Sequence, residues 1–297
     1  DVILRTLFGA ATGSDTAATA RAVQDISEIG FKEMFWPLTL PDWLPLPGKA
    51  TKRRAMRQLK GLLQHHLARP ESAQGATLLA MLRALRDEET GAGLAEQEIF
   101  DQCMVSFTAG HETTATALLW WSALLARHPE AAARAAAEVD ALLQGREPGP
   151  DDIAALPWLS ATLKEAMRLY PPIAALMTRR TTRAIELGGH AIPPRALVRI
   201  TPWVLHRDAR FFPEPQAFRP ERFLPDAEPP ARGAYVPFGL GPRVCLGQHF
   251  AVLEMTLIAA MLLQRYRLAP STAPMPEPRL NVTLRPAEPV RLRLVRR

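Results

Sequence analysis

The sequence has 297 residues, 47% of them hydrophobic and 22% charged, which is the composition of a globular protein with a substantial core. Its formal net charge is +6, but the densest basic run, residues 49–60, has no interleaved aromatic residues, which argues against nucleic-acid binding. Cys103 and Cys245 form no CxxC pair and no apolar run has the length of a transmembrane span, so we expect a cytoplasmic protein that does not enter a membrane.

The first part of the chain is predicted to be helical. Apolar periodicity and turn residues indicate four helices, at residues 1–8, 15–28, 49–69 and 77–86. The third of these is amphipathic, with an apolar side and a basic side that we expect to be solvated. Prolines cluster after Pro171, and because proline disfavours helix interiors, the second half is expected to contain more loops.

A long helix is predicted at residues 94–127, with a length of roughly 50 Å. Its apolar pattern is interrupted by a polar run, which consists of Gly110, His111, Glu112, Thr113 and Thr114. Glycine weakens a helix and a threonine hydroxyl that bonds back one turn bends it, so we expect a kink with an acid and an alcohol at its centre. A helix that is solvent-exposed at this point explains the same run equally well. Zinc binding is not indicated, because no HExxH pattern is present.

Shorter elements follow the long helix. One helix is predicted at residues 131–143, and another begins at Pro157 and carries Glu165 and Arg168 at a spacing suited to an ion pair. Three short strands of one small sheet are then predicted, at residues 184–187, 190–192 and 197–201. Residues 281–284 are predicted to form the turn of a hairpin near the C-terminus.

The most informative stretch is residues 238–247, a glycine-rich turn that presents Cys245 before an apolar helix predicted at residues 248–263. Unpaired N–H groups at a helix N-terminus favour a thiolate over a thiol. Gly239 and Gly247 allow a large flat ligand to approach the main chain, and Arg243 can bind a carboxylate. Together these features predict a haem site. A lone cysteine is also explained as a buried small hydrophobic residue.

The pattern Phe-Gly-x-Gly-x-Arg-x-Cys-x-Gly in residues 238–247 resembles the haem-binding signature of the cytochrome P-450 family of haem-thiolate monooxygenases. Residues 109–114 resemble the oxygen-activation motif of the same family. Glu165 and Arg168 resemble its Glu-x-x-Arg motif, and residues 218–223 resemble the segment that supplies a second arginine. The resemblance implies a mainly α-helical fold with small β-sheets, as one domain over residues 1–297, that lacks the N-terminal third of the family fold.

Roles for individual residues follow from this resemblance. Cys245 is implied as the protein ligand to the iron of haem b, Glu112 as the acid and Thr113 as the alcohol that supply protons to dioxygen. Further haem contacts are implied for Ala109, Gly110, Arg179, Phe238, Gly239, Arg243 and Gly247. A buried structural triad is implied for Glu165, Arg168 and Arg222. Substrate contacts are implied for Phe107, Ile173, Ala174, Ala175, Leu176 and Val282.

The expected activity is insertion of one oxygen atom from dioxygen into an apolar small molecule. Electrons are expected from a separate ferredoxin or flavodoxin-type donor, docked on a positive surface that includes Arg243, Arg134 and Arg207. The alternative, which the short N-terminal side favours, is a truncated and catalytically inactive protein that binds haem or a partner.

Overall fold

The computed structural model describes residues 2–9, 16–34, 36, 38, 40–68, 77–176 and 178–297. Three residues to which the sequence predictions extend, Asp1, Asp15 and Arg69, lie outside the described part. The chain divides into two compact units, Asp1–Glu112 and Thr113–Arg297, and the division falls within one long helix. The expectation of a single domain over residues 1–297 stays a prediction.

Unit 1 is helical, as predicted. Its helices are α1 (Val2–Phe8), α2 (Thr16–Met34), α3 (Lys49–Leu67), α4 (Leu78–Ala84) and the first half of α5 (Glu96–Arg127). The N-terminus of α4 is capped by Thr77, whose hydroxyl accepts the Ala80 N–H at 3.1 Å. Buried side chains of α3, α4 and α5 share one core, which includes Leu59, Leu63, Leu79, Cys103 and Phe107.

The basic side of α3 is only partly solvated. Lys49 is 1% exposed, and its Nζ lies 2.7 Å from Glu33 Oε1 and 2.6 Å from Asp42 Oδ1. Two carboxylates therefore compensate the burial of this ammonium group, which a helical pattern alone does not reveal. The prediction of a solvated side is wrong for Lys49, whereas the later basic residues Arg57 and Lys60 are exposed.

The described residues of unit 2 form the second half of α5 and four further α-helices. These are α6 (Pro129–Leu143), α7 (Pro157–Leu169), α8 (Pro202–Leu205) and α9 (Gln248–Arg265). Proline opens α6, α7 and α8 at the first turn, where its missing N–H has no helical partner to lose. The N–H groups of Trp158 and Leu159 in α7 each bond to the Glu138 carboxylate of α6 at 2.8 Å. Buried side chains of α5, α6, α7 and α9 form the core of this unit.

The strands of unit 2 are short and form four antiparallel pairs among the described residues. They are β1 (Arg179–Arg180) with β4 (Leu197–Val198), β2 (Ile185–Leu187) with β3 (His190–Ile192), β5 (Tyr266–Leu268) with β8 (Leu294–Arg296), and β6 (Pro278–Leu280) with β7 (Leu284–Pro286). The single sheet predicted for residues 184–201 is wrong, because β2 and β3 pair only with each other across Gly188 and Gly189, which both have positive φ. The mainly helical fold class with small sheets is confirmed.

Candidate active site

Residues 238–247, here called the Cys245 loop, form a turn that is closed by backbone hydrogen bonds. The Cys245 N–H donates to the Phe238 carbonyl at 2.9 Å, and the Gln248 N–H donates to the Cys245 carbonyl at 3.3 Å. Gly239 and Gly241 have φ of 76° and 79°, a conformation that glycine adopts without steric cost. The loop thus holds the cysteine just before the N-terminus of α9, as the sequence predicts.

The two cysteines lie in opposite environments. Cys103 is fully buried in the core of unit 1, and burial raises the pKa of its thiol to about 11. Cys245 is exposed at the surface of its loop. The buried-hydrophobe explanation of a lone cysteine therefore applies to Cys103, and Cys245 is the accessible thiol.

The surface around Cys245 fits a large flat apolar group. Leu240 and Leu246 project from the loop with 62% and 92% of their surface exposed, and Val244 is also exposed. A Cβ built on Gly241 or Gly247 meets no atom within 4 Å, so the main chain is open to close approach. Such concentrated apolar exposure on one loop marks a contact surface.

Cations and the donor set also fit a haem. Arg243 on the loop and Arg179 on β1 are both exposed, and guanidinium groups bind carboxylates such as haem propionates. Among the described residues there is no group of three or more His, Cys, Asp or Glu side chains that could hold a metal ion. Cys245 is the candidate metal ligand, and the residues of its loop fit the haem that the sequence predicts.

The polar centre of α5 contains a buried acid. Glu112 is 8% exposed, and the Ser27 hydroxyl of α2 donates to its Oε2 at 3.2 Å. The alternative of a helix surface open to solvent therefore does not hold for Glu112. The helix is continuous through this run, so no break accompanies the predicted kink. Gly110 has a role that propensity did not indicate, since a Cβ there would lie 2.7 Å from the Ile3 Cδ1 of α1.

A partly buried acid was missed by the sequence analysis. Glu254 of α9 is half-buried, and burial raises the pKa of its carboxyl although a hydrogen bond with the neighbouring Thr114 of α5 opposes the shift. Glu254 is the one acidic residue in an otherwise mainly apolar helix. That isolation was the available signal.

Arg168 is the centre of a buried ion-pair cluster. Its Nε and one terminal nitrogen donate to the two oxygens of Glu165 at 2.7 and 2.8 Å, and neither side chain is exposed to solvent. The remaining N–H groups donate to the carbonyls of His206, Pro215 and Ala217 at 2.8 to 3.0 Å. All five N–H donors of the guanidinium group therefore have partners. Because the three carbonyls lie far from α7 in the sequence, Arg168 connects α7 to the segment that contains them.

Arg222 joins this cluster, so the structure brings the three predicted triad residues together. Its Nε lies 3.5 Å from Glu165 Oε1, and one terminal nitrogen donates to the Pro213 and Glu214 carbonyls. The Arg219 backbone N–H also donates to Glu165, at 2.8 Å. Glu165 is thus compensated by two guanidinium groups and one amide. We refer to Glu165, Arg168 and Arg222 as the ion-pair cluster.

The predicted substrate segment of unit 2 lies beside the predicted hairpin. The Leu284 N–H donates to the Pro172 carbonyl at 2.8 Å, and the Trp203 N–H donates to the Ala174 carbonyl at 3.1 Å. The turn between β6 and β7 carries Val282, which is 40% exposed. Ala174 is buried, whereas Ile173, Ala175 and Leu176 are half-buried.

Trp120 and Phe107 make contacts that the sequence did not predict. The Trp120 indole of α5 donates to the Leu284 carbonyl at 2.7 Å and so fixes the hairpin to the long helix, a contact that 164 residues of separation conceal. Phe107, a predicted substrate contact, lies in the core of unit 1 with its ring stacked on His111 at 5.7 Å. Its contact with substrate stays a prediction.

Arg207 is not the surface charge that the sequence predicts. Its guanidinium group stacks on the Trp203 ring at 3.4 Å and donates to the Leu169 carbonyl. Burial lowers the pKa of Arg207 to about 10. Arg134 is exposed, with its guanidinium group 3.7 Å from the centre of the Trp158 ring.

Comparison with known proteins agrees with this geometry. The family described as Cytochrome P450 matches residues 1–294. Cyclooctatin synthase of Streptomyces melanosporofaciens is 40% identical over 268 residues, which cover 88% of this chain and 58% of that protein. Pentalenene oxygenase of Streptomyces avermitilis is 35% identical over 270 residues, covering 90% of this chain and 60% of that protein. The chain thus spans about three-fifths of the length of these relatives.

Solved structures show the same fold. The heme domain of cytochrome P450DA matches 100% of this chain and 66% of its own, with a TM-score of 0.89 and 26% identity. A zebra fish cytochrome P450 with abiraterone matches 100% of this chain and 69% of its own, with a TM-score of 0.81 and 28% identity. In the described part of this chain, no helix combines the length and apolar character needed to cross a bilayer.

Proposed function

The chain belongs to the cytochrome P450 family, and we propose that its protein is a haem-thiolate monooxygenase acting on an apolar small molecule. The observation that carries the proposal is Cys245, an exposed thiol on an apolar glycine loop, in a chain whose other cysteine is buried. Haem b is the proposed cofactor, and it supplies the activation of dioxygen with two electrons. The balanced reaction consumes dioxygen, two electrons and two protons, and yields the hydroxylated product and water.

Residues of the Cys245 loop would hold the haem. The Cys245 sulfur is the proposed iron ligand, on the loop that leads directly into the N-terminus of α9. Arg243 and Arg179 are proposed to bind the haem propionates. Main-chain or apolar contacts with the haem are proposed for Phe238, Gly239, Gly247, Ala109 and Gly110.

Glu112 and Thr113 are proposed to supply the protons. Glu112 is buried and accepts a hydrogen bond from Ser27, so its carboxyl is held in one orientation. Thr113 follows it directly in the chain and offers a hydroxyl that can accept and donate a proton in turn. General acid catalysis of this kind requires a group that is reloaded after each transfer, and a carboxyl performs that reloading.

An unsaturated apolar substrate is proposed. The segment at residues 173–176 and the exposed Val282 supply apolar surface in unit 2. One relative is named pentalenene oxygenase and another cyclooctat-9-en-7-ol 5-monooxygenase, and both names specify an unsaturated compound. Electrons are proposed to come from an acidic ferredoxin or flavodoxin that docks against Arg243 and Arg134, which are exposed cations.

The proposal is tested by the carbon-monoxide spectrum of the purified, reduced protein. We expect about one haem per chain and the strongly red-shifted Soret band of thiolate ligation. Pentalenene, added as a probe with an electron donor, is expected to yield an oxygenated product. A purified folded protein that binds no haem would favour the non-catalytic alternative, an interaction protein built on this fold.

A further inference from the structure

His206 is a fully buried histidine directly after α8, and sequence analysis assigned it no role. Its ring packs between Phe212 and Tyr235, with ring centres 6.5 and 5.2 Å away. By strict hydrogen-bond geometry its Nδ1 has no partner among the described residues, although the backbone of Arg168 and Met167 lies near enough to the ring to favour its protonated form. A phenylalanine or leucine here would avoid the cost of burying that unpaired atom, so the packing alone does not account for histidine.

The contacts of His206 connect two parts of unit 2. Its backbone carbonyl accepts the Arg168 terminal N–H at 2.8 Å, within the ion-pair cluster. Its Nε2 accepts the backbone N–H of Val236 at 2.9 Å, two residues before the Cys245 loop begins. An acceptor nitrogen carries no proton, so Nε2 is unprotonated and the ring proton lies on Nδ1.

Burial keeps this acceptor available. Desolvation lowers the pKa of His206 to about 4; backbone hydrogen bonds with Arg168 and Met167 oppose this shift, and repulsion from Arg168 and Arg207 adds to it. The ring is therefore neutral at neutral pH, and Nε2 retains its lone pair. Tyr235, the remaining titratable side chain against the ring, has a pKa raised by burial and donates its hydroxyl to the Lys164 carbonyl.

Hydrogen bonds continue from Val236 into the loop. The Val236 carbonyl accepts the Gly239 N–H at 3.1 Å. The Phe238 carbonyl then accepts the Cys245 N–H at 2.9 Å. A displacement of Val236 would therefore be transmitted to Cys245 through these two backbone hydrogen bonds. The far side of the loop is exposed to solvent.

We propose that His206 is a positioning residue for the thiolate ligand. Its Nε2 holds Val236, two residues before the Cys245 loop, to the ion-pair cluster. In this way it keeps the Cys245 sulfur where it binds iron. This inference rests on the proposed haem-thiolate function, but its first consequence, a loop held by one hydrogen bond, exists without haem.

The test compares His206→Phe, which keeps a ring and loses the acceptor, with His206→Gln, whose amide oxygen can accept the Val236 N–H. Amide hydrogen exchange over residues 234–246 is measured on each purified chain without added haem. The carbon-monoxide band is then measured after haem loading. His128→Phe serves as the matched control, because among the described residues the His128 ring hydrogen-bonds to the Leu124 carbonyl of its own helix turn and packs against Phe218.

In His206→Phe we expect exchange of the Val236 amide to quicken about tenfold while α9 is unchanged, since one hydrogen bond is lost. The fraction of haem with the red-shifted band should fall, and His206→Gln should restore both readouts. His128→Phe should change neither. If His206→Phe does not fold, His206→Met, which keeps the volume with only a weak acceptor, replaces it in the comparison.

Three results overturn the proposal. The first is an unchanged rate of amide exchange in the loop of His206→Phe. The second is a His206→Gln variant with exchange and haem binding as impaired as in His206→Phe. The third is faster amide exchange in the loop together with the carbon-monoxide spectrum of the parent protein. A parent protein without the red-shifted band would instead refute the proposed function and the role of His206 toward iron, and the exchange data would still decide whether His206 holds the loop.

Discussion

The ion-pair cluster and the Cys245 loop lie in the same unit and differ in almost every physical respect. Glu165 and Arg168 are completely buried, and every N–H of Arg168 has a partner. Cys245 and its neighbours are exposed, and two glycines there adopt left-handed backbone conformations. The difference separates two tasks: the buried, paired charges of Glu165 and Arg168 stabilise the fold, while Cys245, the proposed iron ligand, is accessible on a loop that the fold supports.

Removing the charge of Glu165 tests the cluster most severely. Glu165→Gln leaves the buried guanidinium group of Arg168 and the largely buried one of Arg222 without their carboxylate, so we expect a loss of roughly 3–5 kcal/mol in the free energy of unfolding. Denaturant unfolding followed by circular dichroism measures it. The control is Glu214→Gln, which removes the exposed partner of Arg219 and should cost less than about 1 kcal/mol. Equal losses in the two variants would remove the distinction between a structural cluster and a surface pair.

The two cysteines sharpen the comparison from the side of the loop. Cys245→Ser should leave the unfolding free energy within about 0.5 kcal/mol, because the side chain is exposed, yet abolish the red-shifted carbon-monoxide band. Cys103→Ala should cost about 1 kcal/mol through a small cavity and leave that band in place. A band that disappears with Cys103 and survives without Cys245 would show that the ligand assignment is wrong.

Acid should weaken the connection between the two regions. The folded-state pKa of His206, about 4, lies below its ordinary value of 6.5, so the unfolded chain binds the extra proton more readily between these values. Stability from the neutral ring is complete above about pH 6.5 and falls as pH decreases toward 4, by at most about 3 kcal/mol. Across this range, the unfolding free energy of His206→Gln should depend less steeply on pH than that of the parent protein. Parallel curves for the two proteins would contradict the predicted linkage.

Thr113→Ala should leave both regions intact and change the outcome of the reaction. The variant removes one hydroxyl and one methyl group but no charge, so folding, haem content and the carbon-monoxide band should be nearly unchanged. Reductant should still be consumed, but with less proton delivery more of it should appear as hydrogen peroxide and less as product. Peroxide and product per reductant consumed measure this ratio. Unchanged coupling would mean that Thr113 has only a structural role in α5.

The smallest effect is expected from salt. Arg243 on the Cys245 loop and Arg134 on α6 are exposed, so reduction by an acidic donor should slow as ionic strength rises and screens their attraction. Stopped-flow reduction at increasing salt measures the slope, and Arg243→Gln should flatten it. Rates that do not depend on salt in the parent protein would remove electrostatic docking from the proposal.

Short-range patterns in the sequence determined the elements and the thiolate loop. Proline at the first turn marked the start of α7, and period-3.6 apolar positions marked α9, because backbone geometry depends on neighbouring residues. The glycines beside Cys245 predicted the tight turn that the structure contains. These features require no knowledge of where the rest of the chain lies.

Burial and long-range partners were decided by tertiary structure alone. The Ser27 partner of Glu112 is 85 residues away, and the Val236 partner of His206 is 30 residues away. Lys49 and Arg207, which the sequence presents as surface cations, are instead enclosed by carboxylates and aromatic rings. The sequence does not distinguish a solvated charged residue from a buried one. The free energy of burying the charge depends on compensating groups that only the folded chain brings near it.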